Sequence, residues 1–371
     1  MEKTNNLNEL KLVLLEKGLL NKRIPFETRY ALATHDLVVL EMLDLKMPQI
    51  SDLSDVMNIK GGGKVYAIRM DLNETVDNHK KFVVAGLILR SVLGGRIPNN
   101  KIDTLIDAGN FNSAKAVKYY CERFGMKGIY IMSHLFPKHI TDILESENFQ
   151  VIRAPHKYPA MREREFYEFL YDEMKKEKFR ENKCCLWHAK NGGKAGYPFG
   201  IEIAKTISFP VDCTVSCLGA GSTLEGIQIP IQDFFKENRK RAPSIVVGEH
   251  ELSPLFVKFM KPRQVSRDLL PINNNNKDKF LHIEGIPQVA IGPHYDEINP
   301  LLSRDSIKRI NAIIQYSDDD WQGVQSCLAE CGLSVGNSSA ANLSVAWRLA
   351  NDGKKVLTII FEPFRQFLLK Q

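Results

Sequence analysis

Short apolar runs that read as strands alternate with helical stretches along most of this chain, and that rhythm leaves few architectures open. After Gly61-Gly62-Gly63 comes KVYAIRMDL, a strand by its alternation, then the helix HKKFVVAGLILRSVL. The strand TLIDAG precedes the helix SAKAVKYYCERFG; GIYIMS precedes HITDILESEN; QVIRAP follows. Further on come the helix YPFGIEIAKTI, the strand CTVSCLG, a helix from about Leu224, and the strands SIVVGE and KKVLTIIF. Between those last two lie the helices WQGVQSCLAEC and NLSVAWRLAND. Such an order points to a mostly parallel sheet with helices on both faces. The first sixty residues read as helical. A length of 371 residues exceeds one core and predicts an α/β protein of two lobes.

Composition narrows the function classes. Hydrophobic residues are 44% and charged residues 25%, a globular balance. No run of eighteen apolar residues exists, so no membrane partner is expected. The first eighteen residues lack an apolar segment with a cleavage site, so a cytoplasmic location is expected. The net charge of +6 is spread along the chain, and its basic runs are short or mixed with acids, so no nucleic-acid partner is expected. Seven cysteines suit a reducing compartment. The Cys213/Cys217 and Cys327/Cys331 spacings are poor for zinc, so no metal is expected and the thiols read as small buried hydrophobes.

Two glycine-rich stretches compete for a phosphate-binding role. Gly61-Gly62-Gly63-Lys64 lacks the hydroxyl residue that a Walker loop carries after its lysine, and reads as a flexible turn. Gly219-Ala220-Gly221-Ser222-Thr223 follows a strand and opens a helix, so its amides can converge on an anion with the helix dipole behind them. Position 224 is Leu where a dinucleotide fingerprint wants Gly, which weighs against NAD. Taken alone, the loop is equally a tight turn. Asp107-Ala108-Gly109-Asn110-Phe111 also links a strand to a helix, at the edge of a sheet where α/β proteins bind ligands.

These loops, in this order, resemble the cysteine synthase and tryptophan synthase β-chain family of fold-type II pyridoxal-phosphate enzymes. The family pattern is a lysine on an early helix, a Ser-Gly-Asn-Thr-Gly loop, a Gly-x-Gly-Gly-Thr phosphate loop, and a late Ser-Ser-Gly-Ala turn. This chain has His79-Lys80, Ala108-Gly109-Asn110, Gly219 to Thr223, and Asn337-Ser338-Ser339-Ala340-Ala341. Gly248-Glu249-His250 with Ser253-Pro254, His282-Ile283-Glu284-Gly285-Ile286 and Cys331 to Gly336 fall where the family has similar stretches. The resemblance runs from about Lys64 to Phe367.

It implies pyridoxal 5'-phosphate as cofactor and Lys80 as its Schiff-base lysine, with Lys81 as the rival because the spacing from Asn73 is one residue long. It also implies Asn110 at the cofactor's ring oxygen, and Gly219, Ala220, Gly221, Ser222 and Thr223 around the phosphate. Ser339, or Ser338, would stand at the pyridine nitrogen, where a serine leaves the ring a moderated electron sink. Read without the resemblance, the serine pair is a helix cap.

Asp107, Ala108, Gly109 and Phe111 would meet the substrate. There the chain departs from the family, because Asp107, Ala108, Phe111 and Asn112 replace two hydroxyl residues, a threonine and a glycine. Pro287 and Glu362-Pro363-Phe364 depart as well. The implied reaction is β-elimination or β-replacement on a serine-derived amino acid through an aminoacrylate, with the substrate altered. A deaminase and a non-catalytic regulatory relative are the alternatives. The implied layout has a helical extension (1–63) packed on the large lobe, a large cofactor-binding lobe (64–81 and 186–371), and a small substrate-side lobe (82–185). A homodimer is the implied assembly.

Overall fold

The computed structural model describes residues 6–98, 102–133, 136–154, 182–219, 221–251 and 302–365. Two sheets carry the fold. The larger has the order β1-β2-β10-β7-β8-β9, with β1 (Gln49–Asp52), β2 (Lys64–Arg69), β7 (Cys213–Cys217), β8 (Ser244–His250), β9 (Ile310–Tyr316) and β10 (Lys355–Ile360). Its neighbours pair in parallel except β1 with β2. The smaller is wholly parallel, in the order β5-β4-β3-β6, with β3 (Thr104–Gly109), β4 (Lys127–Ser133), β5 (Phe149–Ala154) and β6 (Lys183–Cys185). This is the mixed α/β, two-lobed architecture that the alternation predicts.

The strand order places the site. From β7 the chain steps to β8 and β9 on one side, yet β10 returns to lie between β7 and β2. Helices leaving such a reversal diverge, and a crevice opens at the strands' carboxyl ends. Three segments meet there: the turn after β2 that leads into α4 (Lys80–Leu93), the loop after β7, and the end of β10. From the smaller sheet, β3 runs into α5 (Phe111–Phe124).

The amino-terminal helices α1 (Asn6–Glu16), α2 (Phe26–His35) and α3 (Leu37–Met42) bridge more than the expected large lobe. Tyr120 Oη on α5 donates to Leu43 O (2.7 Å), and Arg123 Nε donates to Met42 O (2.9 Å). On the other side Tyr30 Oη donates to Ala195 O (2.5 Å). The expectation of a purely helical first sixty residues is corrected by β1. Four residues of mixed polarity carry no periodic signal, and the free edge of β2 makes them a strand. The glycine turn at 61–63 is also not a free hinge: a Cβ on Gly63 would stand 2.3 Å from Ala350 O, so backbone packs on backbone there.

The helix expected at YPFGIEIAKTI starts nine residues earlier, as α7 (His188–Thr206); α6 is Lys138–Leu144. Its glycines are contact surface. A Cβ on Gly196 would lie 3.1 Å from Gly226 Cα, and one on Gly200 would lie 2.4 Å from Gly226 O. The partner segment opens with a π-helical turn, Leu224–Gln228, and continues as α8 (Ile229–Glu237). Buried Gln228 ties that turn to the sheet: it accepts from Ser216 Oγ (2.8 Å) and donates to Thr214 O and Val246 O (both 3.2 Å). The loop before it is thereby held from behind.

Of the thiols, Cys121, Cys184, Cys213 and Cys217 are buried, and burial pushes each above its ordinary value. Cys327 and Cys331 are exposed, on and just beyond α10 (Asp318–Glu330), which corrects the reading of every cysteine as a buried hydrophobe. A short helix, α9 (Arg304–Lys308), precedes β9.

Candidate active site

Two adjacent lysines, both buried, face different surroundings. Asn78, itself fully buried, accepts a hydrogen bond from Lys80 N (2.9 Å) at the start of α4, and His79 N donates to Phe361 O (3.2 Å). So anchored, Lys80 sends its Nζ to Ser222 Oγ at 3.0 Å. The Nζ of Lys81 goes elsewhere, donating to Asp44 Oδ2 (2.6 Å) of the amino-terminal segment and to Thr75 Oγ1 (2.6 Å) and Asn73 Oδ1 (2.9 Å) in the turn before α4. Burial would raise the Asp44 carboxyl, but hydrogen bonds from Lys81, Thr75 and Tyr119 hold it down at about 2. The amine of Lys81 is committed to an ion pair; that of Lys80 sits on the glycine loop.

In that loop Gly221 has φ +82°, and a Cβ there would meet Leu302 Cδ1 at 2.5 Å, so only glycine fits. Gly219 is half-buried, Ser222 and Thr223 are buried, and Ala220 lies outside the described residues. So do Ser253-Pro254 and the 282–287 stretch. His79, Ser222 and Thr223 line one cavity, with Phe82 and Phe199 among its walls. The His79 ring packs on Phe361 at 4.4 Å. Burial, and then the charges of Lys80 and His188, push its imidazole well below the usual histidine value, so it is neutral.

At the end of β10, Ser339 Oγ accepts from Phe361 N (2.9 Å) and Glu362 N (3.4 Å). Helix α11 (Asn337–Asn351) has Gly336 as its N-cap, so neither Ser338 nor Ser339 caps it; both lie in its first turn. Ser339 is fully buried and Ser338 half-buried. Beside them the buried Glu362 accepts from Asn112 Nδ2 (2.9 Å), with its other oxygen 3.5 Å from Ser339 Oγ. Burial pushes this carboxyl up to about 7, against the opposing pull of Arg365 and of the Asn112 and Ser339 hydrogen bonds.

The substrate-side loop differs from its expected reading. Asp107 is completely buried and offers nothing to a ligand. Its Oδ1 accepts from Ala108 N (2.8 Å) and His188 N (3.2 Å), and its Oδ2 lies 3.2 Å from His188 Nδ1. A carboxylate inside a parallel strand needs such partners, and His188 supplies them. Ala108 is buried likewise. Gly109 has φ +151°, and a Cβ on it would meet His188 Cε1 at 2.7 Å and Tyr130 Oη at 2.8 Å. Asn110 caps α5 by accepting from Ser113 N (3.3 Å). Phe111 lies under the Arg365 guanidinium, 5.3 Å from ring centre to Cζ. Arg365 in turn donates to Asn112 Oδ1 (2.7 Å) and Asp77 Oδ1 (2.5 Å). Sequence reasoning missed His188, whose only signal is a lone histidine after a three-residue strand. It took Glu362 for a mere departure.

Fold and site together define a class: a two-lobed α/β enzyme whose buried lysine, at a helix start, faces a glycine loop across the switch point of a parallel sheet. The model of the pyridoxal-phosphate dependent enzyme family matches residues 53–361, and the chain belongs to that family, with pyridoxal phosphate as its cofactor. Similar solved structures include an O-acetylserine dependent cystathionine β-synthase from Helicobacter pylori, 18% identical, covering 89% of this chain and 97% of that one, with a TM-score of 0.66. An O-ureido-L-serine synthase is 14% identical, covering 88% and 93%, with the same TM-score of 0.66. No curated protein matches the chain. The residues present fit the cofactor. Gly221 holds a left-handed turn, φ +82°, of the kind from which successive backbone amides form an anion cradle. Within the same region His79 Nδ1 and Asn78 Nδ2 are buried with no hydrogen-bond partner among the described residues, as a site built for a polar ligand leaves them.

Proposed function

We propose that this enzyme carries out β-replacement or β-elimination on a serine-derived amino acid. The observation that carries the reading is the buried amine of Lys80 resting on Ser222 at the head of the glycine loop. Lys80 is the residue that holds the cofactor covalently, and Gly219, Gly221, Ser222 and Thr223 are those that receive its phosphate, with Ala220 completing the loop. Asn110 serves the ring oxygen and Ser339 the ring-nitrogen end. When bound, the cofactor supplies the electron sink for chemistry at the amino acid's α-carbon.

The chain's own residues do the rest. Lys80 would be the base that takes the α-proton and returns it. His79 stays neutral against Phe361, so it adds no competing charge beside that amine. The names of the two structural neighbours, one dependent on O-acetylserine and the other a synthase of O-ureido-L-serine, support a serine derivative as substrate.

The test is spectroscopic. Reconstituted protein should show a visible band that borohydride abolishes, leaving a pyridoxyl label on the peptide containing Lys80. Lys80→Ala should form no such adduct. A label on Lys81, or none on either, would refute the assignment.

A further inference from the structure

Arg365, only 8% exposed, closes a ring of contacts around the start of α5. Its guanidinium reaches three places at once. Nη2 donates to Asp77 Oδ1 (2.5 Å), in the turn three residues before Lys80. Nη1 donates to Asn112 Oδ1 (2.7 Å), in the first turn of α5, and Cζ lies 5.3 Å from the ring centre of Phe111. With its oxygen taken by the guanidinium, the Asn112 amide turns its nitrogen the other way, and Nδ2 donates to Glu362 Oε2 (2.9 Å) beside Ser339. Asp77 answers both cations there, accepting also from Lys115 Nζ (2.6 Å) further along α5. The far half of α5 is anchored separately, by Tyr120 and Arg123 on Leu43 and Met42. What remains to be fixed is its first turn, and that is where the guanidinium acts.

We propose that Arg365 is a positioning residue that holds the start of α5, with Asn110 and Phe111, in register with the turn that leads to Lys80. This rests on the function proposed above for the roles of Asn110 and Lys80, and Arg365 acts through Asp77, Phe111 and Asn112 rather than on the reacting atoms. A lysine could not replace it, because a point charge on a flexible stem cannot serve two acceptors at fixed angles and cover an aromatic ring as well. Two departures from the family pattern take their meaning from this contact. Phe111 is the ring beneath the guanidinium, and Asn112 is the acceptor that the guanidinium orients.

The first readout needs no cofactor. The amides of Ser113 and Ala114 both donate to Asn110, to Oδ1 (3.3 Å) and O (3.0 Å). In hydrogen exchange of the cofactor-free protein they should exchange about 10- to 100-fold faster in Arg365→Lys and in Asn112→Ala, the range for a hydrogen bond to a charged group. The amides of β7 should keep their rates, because the opening is local. The second readout uses the cofactor-loaded enzyme and L-serine, with binding followed by the change in visible absorbance. Both variants should keep the cofactor band and bind L-serine about 10-fold more weakly, since a loosened helix start must be ordered again on binding. The double variant should lose little more than either single one, because both break the same contact. Exchange at Ser113 and Ala114 that is unchanged, or that rises equally in β7, would overturn the inference and leave the cofactor chemistry intact. So would an unchanged L-serine affinity in both variants, or losses that simply add. An unmodified protein that forms no visible band would instead overturn the function proposed above, and this inference with it.

Discussion

Glu362 makes the stability of this fold depend on pH in a direction opposite to that of an ordinary paired carboxylate. Its carboxyl is lifted from a reference of 4.5 to about 7, chiefly by burial. In the window between those values the folded protein holds a proton that the unfolded chain has released. Stability therefore falls as pH rises through that window, and the loss is complete above about 7. At about 1.4 kcal/mol per pKa unit, the difference between pH 5 and pH 8 is on the order of 2–3 kcal/mol. Glu362→Gln is always neutral, keeps the shape, and keeps an acceptor for Asn112 Nδ2. Urea unfolding of the cofactor-free protein at both pH values measures the effect. The parent should lose about 2–3 kcal/mol more than the variant on going from pH 5 to pH 8. If the two proteins show the same pH dependence, the carboxyl is not held protonated by its burial and the reasoning fails.

Two further perturbations probe the frame around the site. Lys81→Met strands Asp44, Asn73 and Thr75 without their shared donor and should lower the unfolding free energy by about 2–4 kcal/mol, yet borohydride should still label the Lys80 peptide. A stability unchanged to within ~0.5 kcal/mol, or a lost label, would contradict the division of labour between the two lysines. Asn342, fully buried on α11, accepts from Cys217 N (2.7 Å) and donates to Ile359 O (2.9 Å), spanning β7 and β10 at the switch point. Asn342→Ala leaves both backbone groups unsatisfied and should cost about 2–4 kcal/mol in the same unfolding assay; a cost below ~1 kcal/mol would mean the bridge contributes little.

The site's legibility varied with how local its physics is. The glycine loop was readable because a tight turn between a strand and a helix demands residues that a sequence displays openly. Lys80 and Lys81, by contrast, are identical in type and adjacent. What separates them is Asp44, which lies 37 positions earlier and draws one amine away from the cleft. The helix α7 was half-read, because its glycines resemble a loop until Gly226 appears opposite them.

By itself the sequence determined the alternation of strands and helices, the two sheets, and the set of loops from which a phosphate site could be built. These follow from periodicity and backbone preference, which act over a few residues. Only the tertiary structure decided which side chains those loops expose. Asp107 reads as a ligand-facing acid and is in fact enclosed, because burying a charge within a strand requires a partner, and that partner, His188, comes from 81 residues away. Glu362 likewise takes its character from burial and from Asn112, 250 residues earlier. Solvation and pairing are properties of the assembled interior, so they are written in no single stretch of the chain.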